Sequence, residues 1–214
     1  TVQVRSIAEV ATAVTRGDLS RQITVQAQGE LDALKNNINQ MIANLKGTTE
    51  ANAEQDWLKT NLAKFSRMMQ GQKDLESVSR LIMSELTPLV SAQHGAFFIN
   101  DAESDESLLR LIASYAYRAR KNVSNRLAYG EGVVGQAALE KAPILPTHVP
   151  EGYIQISSGL GEAPPRHIIV IPILFEGDVK AVIELAGFLP FSPIHQTFLD
   201  QLAESIGVVL NTIQ

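Results

Sequence analysis

Gly17-Asp18-Leu19-Ser20-Arg21-Gln22-Ile23-Thr24-Val25-Gln26-Ala27-Gln28-Gly29 separates two runs of apolar residues that step by three and four. Ahead of it stand Val4, Ile7, Ala11 and Val14; behind it stand Leu31, Leu34, Ile38, Met41 and Leu45. Each run lays a narrow stripe along a helix, the pattern that seats a partner helix rather than a globular core. A glycine at either end suits the close of one helix and the entry to the next. Between the glycines, Leu19, Ile23 and Val25 are isolated apolar residues that can pin an extended tether along a helix groove. Helices joined in this way run parallel, not as a tight antiparallel hairpin.

This layout resembles the HAMP family. Gly17-Asp18-Leu19 and Gly29-Glu30-Leu31 fall where that family has its connector glycine and the acidic start of its second helix. The stretch from Ile23 to Met41 is similar to the HAMP units strung in tandem in hybrid histidine kinases. The proline that often opens the first HAMP helix is missing, which suits a chain that begins inside that helix. The resemblance implies a homodimer whose helices form a parallel four-helix bundle, with Val4, Ile7, Ala11, Val14, Leu19, Ile23, Leu31, Leu34, Ile38, Met41 and Leu45 as its relay core. Such a bundle passes conformational change from an upstream transmembrane sensor, or further HAMP units, to a downstream effector.

Composition bounds the alternatives. A chain of 214 residues with 45% apolar content and a net charge of −5 suits one or two ordinary folded domains. Nothing in it is basic enough to point to nucleic acid. With no cysteine there is no disulfide, thiolate metal ligand or thiol nucleophile. No stretch approaches the roughly 18 apolar residues that cross a bilayer, and no signal-peptide pattern opens the chain. Because a HAMP unit receives its signal from a membrane helix or another HAMP unit, the chain reads as a piece of something longer.

Beyond Leu45 the stripe loses its register. Continued heptads would place Thr48, Asn52, Gln55 and Lys59 in the seam, all polar, while a fresh stripe begins at Leu58, Leu62, Phe65 and Met69. The new stripe is three residues out of step, an insertion of the kind that locally overwinds a coiled coil. Residues 47–56 are then either a place to store a switch or a polar linker, since Gly47 and the Thr48-Thr49 pair weaken an otherwise helix-compatible segment. Trp57 reads as a packing anchor at a helix interface.

From Asp74 the pattern becomes that of a mixed α/β domain. Leu75, Val78, Ile82, Leu86 and Leu89 mark a helix closed by Pro88, and Gly95–Asn100 reads as a buried strand followed by a polar loop. A strand over Leu108–Ala116, a helix over Gly132–Lys141, strands over His167–Phe175 and Val179–Leu185, and a last helix from Pro193 complete the order. The turn Glu176-Gly177-Asp178 between two apolar strands implies an antiparallel sheet covered by helices. Across residues 74–214 this order resembles a GAF domain, a PAS-like antiparallel sheet flanked by helices. The most specific matches are Tyr129-Gly130-Glu131-Gly132-Val133-Val134-Gly135-Gln136-Ala137-Ala138-Leu139, the pair Pro172–Val179 and Ala181–Ala186, and Pro190-Phe191.

Several motifs invite sharper readings. Gly130, Gly132 and Gly135 fit the dinucleotide fingerprint literally, but no parallel βαβ unit surrounds them, which favours turn glycines over a cofactor site. Ser84-Glu85-Leu86-Thr87-Pro88 has the outline of a kinase phosphoacceptor box with serine in place of the reacting histidine. His94, His148, His167 and His195 are scattered without the i, i+4 spacing of a helical metal site. The Pro- and Gly-rich loop from Pro143 to Pro165 is the more serious candidate, because long loops in compact domains cover sites. His148, Tyr153 and Gln155 lie in it, with Arg166 and His167 just after, and Arg166 would hold an acidic ligand. In GAF domains such a pocket takes cyclic nucleotides, tetrapyrroles or other small molecules. Covalent bilin attachment would need a cysteine, and the Asn-Lys-Phe-Asp-Glu signature of cyclic-nucleotide GAF domains is not preserved around Ala186 to Asp200.

The expected architecture is therefore α+β: a HAMP relay over 1–46, a helical linker over 47–73 that carries the dimer-helix positions Leu58, Leu62, Phe65 and Met69, and a GAF domain over 74–214. The last helix, with Phe198, Leu202, Ile206, Val209 and Ile213 on one face, is expected to pair in the dimer. The expected function is the cytoplasmic signal-transduction segment of a membrane-anchored sensor histidine kinase in a two-component phosphorelay. The alternative is a small-molecule GAF sensor governing a nucleotide cyclase or phosphatase. No catalytic residue, metal, resident cofactor or nucleic-acid partner is expected within these residues, since GAF-type enzymes that reduce oxidised methionine use cysteine.

Overall fold

A computed structural model describes residues 2–101, 107–116, 125–146, 148–149, 154–158 and 161–213. The chain divides into two compact units, Thr1–Thr60 and Asn61–Gln214. In the first, helix α1 (Val2–Thr15) is followed by the tether and then by α2 (Glu30–Met69), whose 40 residues extend past this unit. Gly17 and Gly29 both take positive φ, +83° and +62°, a backbone conformation that side chains with a Cβ resist. α2 begins with Glu30 and Asp32 and has Arg67 in its last turn, charges placed to suit the helix dipole. It continues as helix through residues 47–56, which are exposed throughout; Thr48 and Thr49 turn their hydroxyls back onto the carbonyls of Asn44 and Leu45. Trp57 is half-buried.

The second unit is built on a five-stranded antiparallel sheet. Its elements run α3 (Leu75–Leu89), β1 (His94–Asn100), β2 (Leu108–Tyr115), β3 (Arg126–Ala128), α4 (Gly132–Glu140), β4 (Ile156–Ser158), β5 (Gly161–Ala163), β6 (His167–Phe175), β7 (Asp178–Gly187) and α5 (Pro193–Ile213). Strand order is β3-β2-β1-β7-β6, with β4 and β5 forming a separate two-stranded ribbon. Asp74 caps α3 by accepting from the Ser77 N–H at 2.8 Å, and the Ser77 hydrogen bonds hold its carboxyl below the usual range. Pro193 occupies the first position of α5, where a missing N–H costs nothing, and Ser192 precedes it as cap. Among the described residues no helix is long and apolar enough to cross a membrane.

Strand alternation sends each strand's side chains to two cores. α3 and α5 cover one face, where Phe97, Ile173, Ile183 and Leu185 are fully buried. Two close approaches define it: a Cβ on Gly95 would strike Met83 and Thr87, and one on Gly207 would run into the Leu174 carbonyl. α4 lies over the opposite face, where Ala96, Phe98, Val170, Val182 and Ala186 cluster with Val134, Ala137 and Ala138. Several expectations need correction. α3 is not closed by Pro88, which sits inside its last turn and is followed by Leu89 and the cap Val90. β3 and the β4–β5 ribbon were not anticipated; at three residues each they are too short to show a period.

Candidate functional site

In the first unit Ile7, Val10, Ile23 and Ile42 form a buried cluster, with Val14, Leu19, Val25, Leu31 and Ile38 packed around it. The amide of Asn39 fixes the tether: its Oδ1 accepts from the Ile23 N–H at 2.9 Å and its Nδ2 donates to the Ile23 carbonyl at 3.0 Å. Gln3 Nε2 donates to the Gln26 carbonyl at 2.8 Å, while Gly17, Leu19 and Ser20 share a groove with Lys46, Thr49 and Glu50. The start of α1 thus lies beside the end of the tether, and its end beside the middle of α2. The two helices run in the same direction.

The apolar stripe of α2 is split between two faces. Leu31 and Ile38 turn toward the cluster, but Leu34, Met41 and Leu45 remain 44%, 45% and 42% exposed. On α1, Val4 is exposed and Ala11 half-buried. Val10, Ile42 and Asn39 were missed. Val10 and Ile42 lie three and four residues beyond Ile7 and Ile38, so a search for a broader stripe would have found both.

The positions expected on a dimer-facing linker behave differently. Leu58, Phe65 and Met69 are buried and Leu62 is half-buried. Phe65 meets Phe198 of α5 edge to face, with ring centroids 5.7 Å apart, inside the second unit. On α5, Phe198, Leu202 and Ile206 are likewise buried, Val209 and Ile213 half-buried, and Gly207 packs against β6. The pairing face expected of the last helix is therefore committed to the sheet, because a helix that covers a sheet needs its own apolar stripe to do so. Lys64 and Glu85 join α2 to α3 by a salt bridge of 2.5 Å.

The glycine motif is structural in this fold. Gly130 and Gly132 adopt positive φ, the Gly130 N–H donates to the Gly135 carbonyl at 2.8 Å, and a Cβ on Gly135 would strike the Ala128 carbonyl. Glu131 closes the turn by accepting from the Ala128 N–H. Ser84 hydrogen-bonds the Arg80 carbonyl within α3, and Thr87 is buried.

A pocket of about 80 Å³ opens on the α4 face, lined by His94, Gly95, Ala96, Phe98, Ile154, Glu184 and Ala186. Of the expected pocket residues, the four that are described, His148, Gln155, Arg166 and His167, are not among those lining it. His148 and Arg166 are exposed; Gln155 is half-buried, and His167 sits half-buried at the start of β6 opposite Gly187. Tyr153 lies outside the described residues. His94, expected only as one of four scattered histidines, opens β1, is only 5% exposed, and has no hydrogen-bond partner for either ring nitrogen. Burial pushes its imidazole below the ordinary value, so the ring is neutral near pH 7. An orphaned buried polar group of this kind costs about 1–3 kcal/mol. Among the described residues no three His, Asp or Glu side chains gather as a metal site.

Comparison with known families matches residues 72–211 to the GAF domain and residues 1–47 to the HAMP domain. Among solved structures, the GAF domain from a phosphoenolpyruvate-protein phosphotransferase of Coxiella burnetii is 20% identical, covering 72% of this chain and 93% of its own, with a TM-score of 0.59. The free methionine-R-sulfoxide reductase of Neisseria meningitidis, solved with its substrate, is also 20% identical, covering 71% and 87%, with a TM-score of 0.57. The A. aeolicus nlh2 GAF domain in an inactive state is 18% identical, covering 75% and 99%, with a TM-score of 0.58. At these identities the likeness establishes the fold: an antiparallel sheet flanked by helices, here preceded by a helical region.

Proposed function

The chain belongs to the GAF domain family, and from that premise we propose that this signal-transduction fragment is the relay of a dimeric sensor histidine kinase with a membrane-anchored parent. Its working parts are a HAMP relay over 1–46, a helical linker over 47–73 and a GAF domain over 74–214. The observation that carries the proposal is the exposure of Leu34, Met41 and Leu45 at seam spacing on a helix whose opposite face is already packed. Burying a side chain of that size completely contributes about 1.5–3 kcal/mol, and a second copy that covers what is still exposed of all three gains a part of that at each position on both copies. In the dimer, a change in the packing of α1 and α2 biases the kinase by about 1–3 kcal/mol, a coupling between two discrete packings rather than a chemical step. Similarity of Ile23–Met41 to the tandem HAMP units of hybrid histidine kinases favours that effector over a cyclase or phosphatase.

The test is Met41→Glu, which alters the exposed stripe and leaves the Ile7–Ile42 cluster intact. Sedimentation should show a dimer for the parent chain and a monomer of unchanged helical content for the variant, and autophosphorylation of the full-length protein should lose its response to stimulus. A wild-type chain that sediments as a monomer at high concentration ends the proposal. A second reading, that the GAF unit also senses a small molecule, is favoured by the unpartnered His94 imidazole in the pocket.

A further inference from the structure

The floor of the pocket is low because of what β1 and β7 place on it. His94 stands opposite Ala186, and Ala96 is the diagonal neighbour of that alanine, so two adjoining positions on this sheet face project only a methyl group. Phe98, the next residue on the same face of β1, and Ile154 supply apolar walls. At roughly 10–15 Å³ for each water-sized unit, a cavity of about 80 Å³ holds roughly five to eight non-hydrogen atoms, the size of one ring with one substituent. Of the two polar side chains among the described lining residues, Glu184 already has an interaction of its own, whereas His94 is buried with both ring nitrogens unpartnered. Burial holds that imidazole neutral near pH 7, with one donor and one acceptor. A neutral ring exchanges tautomers, so the nitrogen that meets the cavity serves as donor or acceptor according to what it is offered.

We propose that this pocket binds a ligand of one aromatic ring bearing a neutral hydrogen-bonding group, of the phenol or azine class, and that His94 is the residue that recognises it. The ring would lie over Ala96 and Ala186 against Phe98 and Ile154, and its hydroxyl or ring nitrogen would meet the imidazole. Such a ligand covers apolar surface and supplies the partner that His94 lacks, so both effects favour entry. A neutral group suits a neutral imidazole, since an ion would shed its hydration for a partner without charge. The inference rests on the sensor reading and specifies its ligand.

Phenol and toluene make the test, since they share a shape and differ by one hydroxyl. Ligand-observed NMR titration of the 214-residue chain should show phenol binding. His94→Leu, which removes an orphaned polar group and so should not weaken the fold, should lower the ratio of phenol to toluene affinity about tenfold, the effect of one buried hydrogen bond. Ala96→Val, which raises the floor without touching His94, should abolish binding of both. Near-UV circular dichroism identifies a variant that has failed to fold, in which case the remaining variant decides. A ratio unchanged by His94→Leu, or phenol binding undiminished in folded Ala96→Val, overturns the proposal. Absence of phenol binding to folded wild-type protein overturns it too. Native mass spectrometry then separates the two failures: a co-purified small molecule of other chemistry leaves the sensor reading standing, and a bare chain removes it as well.

Discussion

In residues 1–60 the buried apolar side chains reduce to Ile7, Val10, Ile23, Ile42 and Leu58, whereas residues 61–214 enclose Phe97, Phe198, Ile173, Ile183, Leu185 and many others completely. The first unit leaves the large apolar side chains Val4, Leu34, Met41 and Leu45 substantially exposed. The second closes its sheet on both faces with its own helices. If the proposed dimer forms, the stability of the first unit depends on chain concentration and that of the second does not.

The largest effect should come from Phe198→Ala, which removes the ring that Phe65 and the sheet-facing core pack against. A loss of about 3–5 kcal/mol is expected, read in urea denaturation, and it should not vary with chain concentration. Ile42→Ala should cost about 2–5 kcal/mol in the first unit, and here the midpoint should rise with concentration. An Ile42→Ala transition independent of concentration would erase the contrast between the units. Asn39→Leu removes both hydrogen bonds to Ile23 and should cost about 1–3 kcal/mol. Hydrogen exchange should quicken at the Ile23 amide while amides of β1 and β7 stay protected.

The smallest expected effect is in pH. Burial holds the folded His94 imidazole below its ordinary value of about 6.5, so the unfolded chain takes up its proton first as acidity rises. Stability is therefore full above about 6.5 and declines as pH falls from there to the lower folded value. His195 is shifted in the same direction, also by burial. The informative measurement is thus the difference between wild type and His94→Gln, whose stability should decline less steeply between pH 7 and 5; equal slopes would show that His94 is not held neutral by the fold.

Ile7 stood on a legible stripe and Ile23 among the isolated apolar residues of the tether, and both are buried in the first unit's cluster. Spacing could not separate Leu34 and Met41 from Leu31 and Ile38, since the wide stripe of a bundle helix serves two neighbours and only folding assigns each residue to one. Phe65 and Phe198 each sat on a legible stripe, yet their meeting spans more than 130 positions of chain and has no local signature. The β6–β7 turn was legible through Glu176-Gly177-Asp178, whereas the pocket was not. His94 and Glu184 become neighbours only through a register between β1 and β7 that no short-range pattern encodes. The Pro143–Pro165 loop was legible and contributes Ile154 to the lining, but length marks where a cover can lie and not which side chains stand beneath it.

Residues 50–56 of α2 bury nothing, and that indifference has an engineering consequence. Excising those seven residues would shorten α2 by about 10.5 Å while turning the rest of that helix by only about 20°. Excising a single one would barely change axial reach but would swing the same part of the helix by about 100°. Two short deletions can therefore ask whether the proposed relay passes displacement or torque, without removing a buried residue.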